Sequence, residues 1–201
     1  MNQFGSWSED KSLRVLHFDI EARPLAWINQ DYVSKEITAI AVRWADEKKT
    51  DYWLLGKHDP VEMLEGFREL YDEAGIVTGH YIRGYDLSMI NGAMVEYNLP
   101  FLEDKMTHDT KGDLIGFTGV SKSQENLCAM LGIAAPKVSM SQAMWRESNR
   151  LTPEGLLYTA KRAVGDVNQH VEMRNKMLEL KMLELPRMWY SAMKQNPIDR
   201  S

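Results

Sequence analysis

A chain of 201 residues has room for one domain with a full core, and its hydrophobic and charged fractions of 44% and 26% exclude a disordered or low-complexity protein. The N-terminus carries no basic segment followed by an apolar run, and no stretch reaches ~18 consecutive apolar residues, so a cytoplasmic protein without a membrane span is expected. A net charge of −5 excludes a surface that is broadly a basic nucleic-acid trap, but not a nuclease, because carboxylates gathered for divalent cations look acidic on paper. The single cysteine, Cys128, excludes an internal disulfide and reads as a small buried hydrophobe.

Residues 13–20, 37–45 and 50–55 are rich in β-branched and aromatic residues between polar turns, which predicts three strands in an antiparallel meander. Asp59 as N-cap and Pro60 at the first helical position open a helix that Gly75 should stop. A short strand at 75–80, a helix from Asp86 to Tyr97 and a strand at 105–110 follow, and this alternation implies parallel crossovers. The last third is helical, ending in a long segment with Thr152 as N-cap and Pro153 at N1, which Gly165 should divide. The expected architecture is α/β, a mixed sheet of about five strands, antiparallel for the first three and then parallel, flanked by helices. It forms a single domain, with a core over about 13–178 and residues 185–201 as a C-terminal extension.

Within "VLHFDIEARP", Asp19 and Glu21 are two apart on a strand and therefore point to one face. Adjacent carboxylates repel unless one is protonated or a cation lies between them, and oxygen-only ligands suit hard ions such as Mg²⁺ or Mn²⁺. Taken alone, the pair also fits a solvated strand end. Two further segments change the balance: "GHYIRGYDL", in which Asp86 starts a helix, and "VGDVNQHVEM", with Asp166 inside the late helix.

In this order and on these elements, the three segments resemble the motifs of the DEDD superfamily of DnaQ-like 3′–5′ exonucleases, whose fold is RNase H-like. The resemblance runs from about residue 13 to 178. It implies that Asp19, Glu21, Asp86 and Asp166 are catalytic and hold two divalent cations, Mg²⁺ or Mn²⁺, around a scissile phosphate. It further implies DNA as substrate, single-stranded or at frayed 3′ ends, with RNA as a second candidate and a separate DNA polymerase as partner.

Two positions depart from the family pattern. Tyr81 stands where the family has Asn after Gly-His. The usual general base, a Tyr four or a His five residues before the last Asp, is replaced by Arg162 and Lys161, neither of which accepts a proton usefully. Arg162 can instead contact the phosphate. His170, about 6 Å beyond Asp166 along a helix, is the nearest substitute base, whereas Tyr158 comes within reach only if the helix bends. His80 and His17 read as structural.

Trp27, Tyr32 and Tyr85 are the aromatic residues best placed to stack on a terminal base. The Met-rich C-terminal stretch reads as core packing, with "PRMWYSAMK" as a docking segment in the alternative. The missing Tyr or His keeps a second function open, a catalytically silent nucleic-acid-binding or polymerase-accessory module.

Overall fold

Strands β1 (Val15–Pro24), β2 (Lys35–Trp44) and β3 (Asp51–Leu54) form the expected antiparallel meander. The computed structural model describes residues 13–25, 33–116, 118–134 and 139–191. The Asp59 carboxylate accepts a hydrogen bond from the Val61 N–H at 2.9 Å and starts α1 (Pro60–Glu73). Next come β4 (Ile76–Gly79), parallel to β1, then α2 (Asp86–Glu96) and β5 (Lys105–Asp109), parallel to β4. Helices α3 (Gln124–Met130), α4 (Gln142–Asn149) and α5 (Pro153–Glu179) precede a last strand, β6 (Arg187–Trp189).

The strand order is β3-β2-β1-β4-β5-β6, a mixed sheet of RNase H-like form with one strand more than the sequence suggests. The addition is β6, antiparallel to β5, drawn from residues expected to form an extension. Arg187 anchors it by donating to the Asp113 carboxylate at 2.8 Å and to the Gly112 carbonyl at 2.9 Å.

Alternation along β1 divides the molecule. Leu16, Phe18 and Ile20 face the main core, where Phe67 and Tyr71 of α1 and Leu87, Ile90 and Met94 of α2 cover them. On the other face His17, Asp19 and Glu21 stand across from Arg43, Ala41 and Ala39 of β2. Helix α5 lies over this second face, packing Ala160, Ala163 and Val167 against Ala39, Ala41 and Leu54.

Gly165 does not divide α5, which runs unbroken for 27 residues. One interior glycine weakens a helix by about 1 kcal/mol, less than a long apolar stripe and a good cap contribute. Here the Thr152 hydroxyl accepts from the Gly155 N–H at 3.0 Å, and the stripe extends to Met173 and Met177. Those two methionines pack with Leu114, Leu127 and the buried Cys128.

Candidate metal centre

Small residues bring the acids together. Asp19 pairs across the strands with Ala41 and Glu21 with Ala39, and both alanines are fully buried under α5. Methyl side chains let the helix approach the sheet closely, so that Asp166, one turn from Ala163, meets the two strand carboxylates. One oxygen from each of Asp19, Glu21 and Asp166 lies within 4.8 Å of the others. A bulge adjoins them: Glu21 faces Ala39 but Ala22 faces Ile37, leaving Thr38 as the extra residue. Such a bulge bends the strand and re-aims side chains where it leaves the sheet.

Asp86 arrives from the opposite side, at the start of α2. It is 5% exposed, and its Oδ1 accepts from the backbone N–H of Ile20, the residue between Asp19 and Glu21, at a long 3.4 Å. Gly79 makes this approach possible. A Cβ there would lie 2.6 Å from the Phe18 carbonyl and 2.4 Å from Ile82 Cγ2, so the chain after β4 presses on β1 only because no side chain intervenes. Asp109 then ties the connector to the turn after β5, accepting N–H groups of Tyr81 and Arg83 from the first and of Lys111 and Gly112 from the second at 2.9 to 3.1 Å. Tyr81, in place of the resembling family's Asn, takes a left-handed φ of 72°, a conformation easier for Asn than for Tyr. Its ring lies under Lys111 Nζ, 4.0 Å from the centroid.

Loss of water pushes the Asp19 carboxyl well above the usual carboxylate range, and the charges of Asp86, Glu21 and Asp166 push it further, offset in part by Arg162. Burial drives Asp86 up to about 7, against the pull of the N–H groups of Asp86 and Ile20, with Asp109 and Glu21 adding to the rise. Arg162 enters the cluster itself. Its Nε lies 3.2 Å from Glu21 Oε1 and 2.8 Å from Asp166 Oδ2. The three clustered carboxylates against one guanidinium leave a formal charge of −2, with Asp86 adjoining, and the donor set is all hard oxygen. It fits Mg²⁺ or Mn²⁺ and would disfavour soft metals.

No family model and no curated protein matches the chain. Its fold recurs within a DNA polymerase. The family B DNA polymerase from the hyperthermophilic archaeon Pyrobaculum calidifontis superposes with a TM-score of 0.68 at 17% identity, over 83% of this chain and 24% of the polymerase. The chain thus spans about a quarter of that protein, and the likeness is one of fold.

The remaining expected site residues fall into three groups. His170 turns both ring nitrogens to other partners: it is 2% exposed, with Nδ1 3.0 Å from His17 Nδ1 and Nε2 3.2 Å from Thr110 Oγ1. Burial lowers the pKa of both histidines well below the ordinary value, with nearby positive charge, chiefly Arg174 for His17, adding to the effect. The pair is therefore a neutral strut between α5, β1 and the end of β5, in a position unsuited to a general base. Tyr85 is half-buried against the main core, with Lys35 Nζ 5.1 Å from its ring centroid. Trp27 and Tyr32 lie outside the described residues.

Of two supporting residues, one had no clear signal in the sequence and one was expected. Gln124, at the start of α3, donates to the Asp166 carbonyl at 3.0 Å. His80, expected to be structural, is bonded to Thr110 Oγ1 at 3.0 Å and to the Lys122 carbonyl at 2.9 Å, which ties the loop before α3 to the same end of the sheet.

Proposed function

We propose that the protein is a metal-dependent 3′–5′ exonuclease that hydrolyses DNA from single-stranded or frayed 3′ ends. The observation that carries this reading is the convergence of Asp19, Glu21 and Asp166, from a strand and a helix far apart in sequence, on one cluster with oxygens within 4.8 Å. Like charges held this close, two half-buried and one buried, destabilise a fold unless a cation joins them, so a cluster of this kind is best understood as a cation site. Likeness to part of a DNA polymerase supports nucleic acid as the substrate and a separate polymerase as the partner that delivers 3′ ends.

Asp19, Glu21 and Asp166 would hold one cation, and Asp19 with Asp86 a second. When bound, two such ions activate the attacking water and stabilise the departing oxygen in an in-line displacement. The chain's own contribution is positional. Asp19 and Glu21 are set by strand register, Asp166 by the alanine contact under α5, and Asp86 by the pressed connector after Gly79. Water adds to phosphorus, the bond from phosphorus to the 3′ oxygen breaks, that oxygen takes up a proton, and a nucleoside 5′-monophosphate leaves.

Arg162 favours a second reading. A cation already bonded to Glu21 and Asp166, at the helical position where the resembling family carries Tyr, suits an accessory module that binds nucleic acid without cutting it. The test is digestion of a 5′-labelled single-stranded DNA in Mn²⁺ or Mg²⁺, with Asp19→Asn and Glu21→Gln as controls and a 3′-blocked copy of the substrate. Shortening from the free 3′ end that both substitutions abolish establishes the exonuclease. Intact DNA in both metals leaves the accessory module.

A further inference from the structure

Arg162 occupies ground that the proposed function assigns to a metal. Its Nε approaches Glu21 Oε1 at 3.2 Å and Asp166 Oδ2 at 2.8 Å, and the three side chains are 18%, 13% and 10% exposed. The contact with Asp166 is the ordinary i,i+4 pair of a helix, whereas the contact with Glu21 crosses from α5 to the sheet. Nε carries one N–H, so both oxygens converge on a single donor.

Glu21 Oε1 and Asp166 Oδ2 are aimed at that donor, leaving a metal the second oxygen of each carboxylate, beside the guanidinium. A guanidinium and a divalent ion within one such cluster would also repel each other strongly where little water screens them. We propose that Arg162 and a divalent cation are alternative occupants of the Glu21–Asp166 pair. In the metal-free protein Arg162 holds these carboxylates together. On metal entry its side chain must rotate out, because the unbroken α5 keeps its Cα in place. Arg162 is thus a positioning residue that lowers metal affinity while stabilising the metal-free fold.

This inference rests on the metal-centre reading, and the experiment separates the two. Mn²⁺ binding to the full chain is followed by the paramagnetic resonance signal of the free ion, for the unaltered protein, Arg162→Gln and Arg162→Lys, alongside melting temperatures in chelator. Arg162→Gln should bind Mn²⁺ about tenfold more tightly or better, and melt at a lower temperature in chelator. Arg162→Lys keeps the charge but not the planar fork, and should bind Mn²⁺ more tightly than the unaltered protein and less tightly than Arg162→Gln. Unchanged or weaker binding by folded Arg162→Gln overturns the inference and leaves the metal centre standing, since the unaltered protein still binds. Should that variant not fold, Arg162→Lys decides: tighter binding supports the inference, and equal or weaker binding overturns it. No Mn²⁺ binding by any of the three overturns the inference together with the metal centre.

Discussion

Asp19 and Ala41 face each other across the β1–β2 pair, and the small size of the second sets what the first can reach. A larger side chain at 41 would stand under Ala160 and Ala163 and lift α5, taking Asp166 with it. Ala41→Leu is therefore expected to lower stability by about 1–3 kcal/mol, the usual consequence of overpacking. Activity should fall by a larger factor, about 100-fold, because a displacement near 1 Å suffices to misalign a reacting centre. Urea denaturation and DNA digestion on the same preparation check this; a loss of activity no greater than the loss of folded protein would refute it.

Gly79 and Gly92 offer an internal comparison. A Cβ at Gly79 would meet the Phe18 carbonyl at 2.6 Å, while a Cβ at Gly92, in the middle of α2, would meet nothing within 4 Å. Gly79→Ala should destabilise by about 1–3 kcal/mol and weaken metal binding by moving Asp86. Gly92→Ala should stabilise by roughly 0.5–1 kcal/mol, as alanine does in a helix interior. Equal effects at the two positions would remove the argument that β4 ends in glycine to let the connector press on β1.

Much of this was legible in the sequence, for identifiable reasons. Asp59 with Pro60, and Thr152 with Pro153, start helices where local chemistry alone satisfies the first N–H groups. The spacing of Asp19 and Glu21 carries its own geometry, because strand alternation needs no tertiary information. What escaped was tertiary. The continuity of α5 through Gly165 depends on a buried stripe outweighing one poor helix former. β6 is a three-residue strand with no period to read, held by Arg187 reaching Asp113 across the chain. Arg162 shares a helix face with Asp166 by spacing alone, but its bond to Glu21 requires α5 to lie over β1, which spacing cannot say. His170 shares that same face one turn later, yet there the sheet beneath presents His17 in place of a carboxylate.

His170 accordingly separates structure from catalysis. His170→Ala removes the link between His17 and Thr110 and strands His17 Nδ1 in the interior, at about 1–3 kcal/mol, while Thr110 Oγ1 keeps its bonds to His80 and the Gly79 carbonyl. A clear drop in melting temperature is expected, with a pH–rate profile of unchanged shape at temperatures where the variant is folded. Collapse of the rate with the melting temperature preserved would instead make His170 a catalytic base.

Stability should depend on pH in a way that exposes the acid cluster. Asp86 rises from 3.8 to about 7 in the folded chain, so folding favours its protonated form. Its contribution is complete below the unfolded value and is lost as pH climbs through about 7. His17 and His170 act in the opposite sense: lowered in the folded chain, they withdraw stability as pH falls below their unfolded value, about 6.5. Between about pH 6.5 and 8 Asp86 withdraws ~0.8 kcal/mol, with Asp19, raised for related reasons, adding to the loss, while His17 and His170, half-protonated in the unfolded chain at the start of this range, return ~0.4 kcal/mol each, so the carboxylate part is read as a difference between proteins. Asp86→Asn, which keeps the histidines, should gain stability relative to the unaltered protein as pH rises across this range. Saturating Mn²⁺ should tilt the profile the same way, since a bound cation stabilises the ionised carboxylates and removes the advantage of protonation. Urea midpoints measured across this range, in chelator and in metal, give the comparison. A metal-free protein whose profile ran parallel to that of Asp86→Asn from pH 6.5 to 8 would mean that the carboxylates are already neutralised within the fold.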